Sequence, residues 1–230
     1  MMNIVEKRIY ADGEPYYFNT ETTEKYGEIV GGFAWPETKD GFLVVAAVDL
    51  LGNTDFEARH IRILAEASEF EIDNLLKHAL ELQKHFSPFM ETIRFYGDTT
   101  SLAMIEFLDQ FNRNRRSRGL NTFYLTEAIL LKSPKKLDFY ASLIRKYTQP
   151  GREILHFCDT ALPGYLVGLS PDEINKSVLE HPPLAALGYA LAVLSTWRPR
   201  KGEKGPEKRE TEVLTKYERV LNDKLVEEMT

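Results

Sequence analysis

The stretch EIVGGFAWPETKDGFLVVAAVDLLGN, residues 28–53, decides the reading of the fold. Two β-branched and small-residue runs, 28–35 and 41–50, are separated by Pro36 and a short polar loop and closed by Gly52-Asn53, which predicts two antiparallel strands joined as a hairpin. Immediately downstream, HIRILAEA (60–67) alternates Ile61, Ile63 and Ala65 with Arg62, Leu64 and Glu66 and extends the pair to a three-stranded meander. Upstream, Ala11-Asp12-Gly13-Glu14-Pro15 is a turn-forming set between Arg8-Ile9-Tyr10 and Tyr16-Tyr17-Phe18, so residues 1–27 read as a hairpin or extended arm.

After residue 68 the period changes. Phe70, Ile72, Leu75, Leu76, Leu80 and Leu82 recur at helical spacing and predict a helix over 69–86, ended before Pro88. Strands at 92–98 and 121–128 enclose a helix at 99–112, an alternation that requires parallel neighbours. Helices follow at 137–147, 170–179 and 184–197, the last almost wholly apolar, with a strand or turn at 154–157. The segment RPRKGEKGP (198–206) is a charged linker. Beyond it Val213, Leu214, Tyr217, Val220, Leu221 and Leu225 define an amphipathic helix that docks back or meets a partner. The expected organisation is an arm at 1–27, an α/β domain at 28–198, and a linker with a C-terminal helix at 199–230.

Composition narrows the function classes. With 230 residues, 43% of them hydrophobic and 28% charged, the chain has enough apolar mass for a substantial core. No apolar run approaches the ~18 residues of a membrane span, and MMNIVEKRIYADGE has no signal-peptide core, so the expectation is a cytoplasmic protein with no membrane partner. One cysteine, Cys158, excludes an internal disulfide and a thiolate-rich zinc site. A net charge of -6 argues against indiscriminate coating of nucleic acid but leaves room for a local basic strip.

Three antiparallel strands, a helix, a strand ending in Gly97-Asp98, a helix and another strand follow the order of the ribonuclease-H-like fold. In detail, residues 28–53, RFYGDTTSLAMIEFL (94–108) and LAALGYALAVL (184–194) resemble the nuclease domain of the large terminase subunits of tailed phages. The resemblance implies a mixed sheet flanked by helices, a magnesium- or manganese-dependent nuclease centre built from three acids, and a place in DNA packaging. It puts the second acid at Asp98. The positions of the first and third hold Phe33, Ala34, Trp35 and Ala185, Ala186, which offer a metal no side-chain oxygen.

Two readings of the acids follow. Either the metal site has decayed and the chain is a nucleic-acid-associated or packaging-related module, or Asp98 works with substitutes, of which Glu37, Asp40 and Asp159 are the candidates and Asp49 and Glu127 further acids by type. Asp98 before Thr99-Thr100-Ser101 is equally a turn residue or helix cap. A third reading makes the chain a non-catalytic assembly protein that forms a homo-oligomer or binds a packaging component through its last helix. No G-x-x-x-x-G-K-[ST] loop is present, so the chain is not a packaging motor by itself.

For nucleic acid, the strip Arg113, Arg115, Arg116 and Arg118 is the main candidate, joined by Lys135 and Lys136; a cationic helix terminus favoured by the helix dipole is the plain alternative. The five histidines show no metal-ligand spacing, and Cys158 beside His156 lacks a positioned base.

Overall fold

A computed structural model describes residues 4–9, 15–36, 38–50, 60–127, 135–148, 155–157, 161–166, 174 and 180–197. The elements in chain order are β1 (Val5–Ile9), β2 (Pro15–Asn19), β3 (Lys25–Ala34), β4 (Gly41–Asp49), β5 (Ile61–Glu69), α1 (Ile72–Phe86), β6 (Phe95–Gly97), α2 (Leu102–Arg116), β7 (Leu125–Glu127), α3 (Lys135–Thr148), β8 (Leu155–Phe157), α4 (Leu162–Leu166) and α5 (Pro182–Leu194). The expected helix at 170–179, apart from Ile174, and the linker and C-terminal helix lie outside the described residues.

The protein is α/β, with a mixed, mostly antiparallel sheet flanked by helices. β3, β4 and β5 form the antiparallel meander that the hydrophobic runs predict. β6 then adds in parallel beside β3, with Gly31 opposite Phe95, and β7 in parallel beside β6, with Gly97 opposite Glu127. On the other side β8 runs parallel to β5. The β1–β2 hairpin pairs antiparallel with the start of β3, so the aromatic arm is part of the same sheet.

Period-two alternation sorts the two cores. Val30 and Ala34 of β3 and Phe42, Val44, Ala46 and Val48 of β4 face α3 and α5, where Tyr140, Ile144, Leu187 and Leu191 bury. Ile29, Phe33, Leu43, Val45 and Ala47 face α1 and α2, meeting Leu75, Leu76, Met104 and Phe111. Both faces of β4 are covered, which is why GFLVVAAVD reads as continuous apolar sequence rather than as an alternation.

Two departures from the expected pattern have physical causes. In β5 the register steps from Val45–Ala65 to Ala46–Ile63, which leaves Leu64 as an extra bulged residue. Ile61 and Ile63 therefore pack against α3 and α5, whereas Ala65 packs on the α1 face, and the strict alternation expected for 60–67 breaks at that point. The second is a polar anchor at β7. Asn112 of α2 is buried; its Nδ2 donates to Phe123 O (2.7 Å) and its Oδ1 accepts from Phe123 N (2.9 Å), completing the backbone bonding of the chain entering the strand.

Candidate functional site

Parallel pairing of β6 and β7 brings together two acids that are 29 positions apart in the sequence. Asp98 leaves the end of β6 and Glu127 closes β7 in register with Gly97. The loop between β6 and α2 is tied to both. Thr99 donates to Glu127 Oε2 from its backbone N (3.1 Å) and its Oγ1 (2.7 Å), and Thr100 donates to Asp98 Oδ1 from N (2.9 Å) and Oγ1 (2.6 Å). The last pair makes Asp98 the head of an Asx turn. Helix capping itself falls to Ser101, whose hydroxyl accepts from Met104 N (3.3 Å).

Two phenols from the helices complete this corner. Tyr140 of α3 and Tyr189 of α5 meet edge to face at 5.1 Å between ring centres. Burial pushes both hydroxyls well above the usual tyrosine range, and the negative charges of Asp98 and Glu127 push them further the same way. The Tyr140 side chain is fully buried and its hydroxyl finds no hydrogen-bond partner among the described residues.

The end of β3 and the start of α5 are where the resemblance would put two further acids. Phe33 and Ala34 are buried, and Ala185 and Ala186 of α5 are packed out of solvent. A Cβ at Gly32 would lie 1.9 Å from Ala186 O and 2.8 Å from Ala186 C, so strand and helix touch backbone to backbone. At that point there is no space for a side chain between β3 and α5. Among the described residues no group of three or more His, Cys, Asp or Glu side chains converges. The two acids present do not fit a centre holding a pair of divalent cations, which needs several shared carboxylate oxygens.

The other candidates fall elsewhere. Glu37 and Asp159 lie outside the described residues, as do the side chains of Lys135 and Lys136. Asp40 lines a cleft of about 410 Å³ with Lys39, Ser68, Tyr165 and His181. Asp49 is buried and bound to Arg62, whose Nε (3.0 Å) and NH2 (2.7 Å) donate to Oδ2, while Arg62 NH1 reaches Glu24 (3.0 Å). That is a structural ion pair between interior strands, at the end of β4 and the start of β5. The histidines do contain one pairing invisible in their spacing. β5 and β8 bring His60 Nδ1 within 2.8 Å of His156 Nε2, with the rings stacked.

The arginine strip stands at the C-terminal end of α2. With a rise of ~1.5 Å per residue, its 15 residues put Arg113 and Arg116 roughly 20 Å from the Asp98 end. Arg115 stacks on Phe111 and donates from Nε to Asn121 O, and Arg116 donates to Tyr124 Oη (3.2 Å), so these two are held in place while Arg113 and Arg118 point into solvent. Among the described residues no helix is long and apolar enough to cross a membrane.

No protein family, curated protein or solved structure matches this chain.

Proposed function

We propose that the chain is a ribonuclease-H-like domain, akin to the nuclease domain of phage large terminases, whose metal site has decayed, and that it serves as a nucleic-acid-associated, packaging-related module without efficient cleavage. The observation that carries this reading is the corner at the ends of β3, β6 and β7. Two carboxylates, Asp98 just past β6 and Glu127 at the end of β7, stand at the ends of adjacent parallel strands, while Phe33, Ala34, Ala185 and Ala186 are buried beside the close Gly32–Ala186 contact. The order of β3, β4, β5, α1, β6, α2 and β7, with β6 entering parallel to β3, supports the fold assignment. In this reading Asp98 and Glu127 hold the 98–101 loop rather than activating water.

Incubating the pure protein with supercoiled plasmid and magnesium or manganese tests the proposal. No strand scission above that of an Asp98→Asn variant is the expected result. Metal-dependent nicking that disappears in Asp98→Asn would instead make the chain an active nuclease. DNA as the partner class is tested separately by the binding measurement below, and assembly through the C-terminal helix by light scattering of the full chain against a form ending at Lys201.

A further inference from the structure

A second site lies at the opposite end of the α1–α2 face. The C-terminal half of α1, the loop 88–92 and the turn 119–121 after α2 enclose an open groove of about 630 Å³. Lys77, Lys84 and Arg115 line it. Arg113, Arg116 and Arg118 continue the same charge around the end of α2. Among the described residues two acids line the groove, Glu81 and Glu91, and Glu91 is paired with Lys7 from β1. In a chain whose net charge is -6, this end is a cationic surface on an acidic body.

The groove also displays aromatic and apolar side chains that the fold does not use. Phe89 is 87% exposed and Met90 89% exposed. They sit on a turn closed by the Glu91 N–H donating to Pro88 O (3.0 Å), with Met90 at φ 64°, a left-handed conformation uncommon for a residue with a Cβ. The turn is anchored below by Ile93 N donating to Ser87 Oγ (2.9 Å) and Gln83 Nε2 donating to Ile93 O (2.6 Å), so the exposed tip stands on a fixed base.

We infer that this groove binds single-stranded nucleic acid, with Lys77, Lys84 and Arg115 on the phosphates and Phe89 as a stacking platform for a base. Cations set along a groove neutralise a backbone without reading sequence, and an exposed ring stacks only on a base that is not already paired. A duplex would use the charges but leave Phe89 without a role. A protein partner of acidic character is the competing occupant; it would use the cations but would not need an exposed aromatic ring to stack on a flat partner. The inference deepens the proposed function, resting on it only for the class of partner, and it places binding away from the Asp98–Glu127 corner.

The test is fluorescence anisotropy with labelled dT15, rU15 and a 15-base-pair duplex, on the full chain and on Lys77→Gln/Lys84→Gln and Phe89→Ala variants. With three to four phosphates neutralised, dT15 affinity should fall about 20- to 50-fold between 50 and 200 mM salt, and the double lysine variant should flatten the log–log slope by about 1.4. Phe89→Ala should weaken dT15 and rU15 by about fivefold or more and leave the duplex unchanged. All three side chains are exposed, so urea midpoints should match the parent and separate binding from folding. Duplex binding that exceeds dT15 binding and ignores all three substitutions would overturn the groove and leave the module reading standing. No binding of any of the three probes by the parent would overturn both.

Discussion

Replacing Gly32 with alanine tests the packing on which the site argument turns. The added Cβ would meet Ala186 O at 1.9 Å, about 1.5 Å inside ordinary contact, and the next atoms it meets, Ala186 C at 2.8 Å and Ala190 N at 3.2 Å, are also backbone. No side chain can swing aside, so α5 itself must move. Twelve of its 13 residues are buried, and a shift of more than an ångström opens gaps along the contacts with β3, β4 and α3 together. Overpacking a core usually costs about 1–3 kcal/mol; a clash absorbed by a whole buried helix belongs at or above the upper end, about 3–4 kcal/mol. At an m-value of ~3 kcal/mol/M the urea midpoint should fall by about 1 M. The control is Gly164→Ala, where nothing lies within 4 Å of the new Cβ and the residue sits inside α4, so the change should be neutral or stabilising by up to about 1 kcal/mol. If Gly32→Ala unfolds within ~0.2 M of the parent, by the same linear relation between midpoint and stability, then α5 does not rest on the β3 backbone and the close contact at this corner is refuted.

Asp49→Ala should destabilise by about 1–2 kcal/mol because it removes the buried one of the two carboxylates on Arg62 and leaves only Glu24, and Arg62→Met in the same chain should recover part of that loss; equal losses in the single and double variants on chemical denaturation would argue against a coupled pair. Tyr140→Phe removes a buried hydroxyl with no partner among the described residues and should leave stability unchanged or raise it by about 1 kcal/mol, whereas a loss above ~1 kcal/mol would mean the hydroxyl is bonded. Burial raises the Glu28 carboxyl above its ordinary pKa, so the folded state holds that proton longer than the unfolded chain does. Stability from this group is therefore lost as pH climbs from about 4.5 through the raised native value, and Glu28→Gln should gain on the parent between pH 4.5 and 7 in paired urea melts; a constant difference across that range would contradict the sign. At the alkaline end, Tyr17 and Tyr147, both pushed up to about 12 by burial, should ionise late in a 295 nm titration of the folded protein, and stability should decline above pH 10 as the unfolded chain releases those protons first.

The succession of elements was legible in the sequence because its signals are local. The continuous β-branched run in 41–49, period two in 61–63, helical spacing in 72–86, and the turn residues between them are properties of short windows, and the observed strands and helices other than the short α4 begin within a few residues of the expected places. The absence of acids at 33–35 and 185–186 was equally visible, since a residue type needs no fold to be read. What those positions do instead was not. Whether an alanine lines a void or seals one depends on how closely a helix approaches a strand, and Gly32 against Ala186 is a contact between residues more than 150 positions apart. The Leu64 bulge likewise reverses which face Ala65 serves, through pairing with β4 that its own neighbours do not encode. Glu127 joined Asp98 only because β6 and β7 pair in parallel, and the arginines parted from Asp98 because a 15-residue helix carries them the length of the sheet. Lys77 and Lys84 fall within the expected helix 69–86 and Phe89 just beyond the proline that ends it; their place beside Arg115 exists only once α1 and α2 lie side by side on the same sheet face. Local periodicity sets what each segment becomes, and register and packing between distant segments set which side chains share a site.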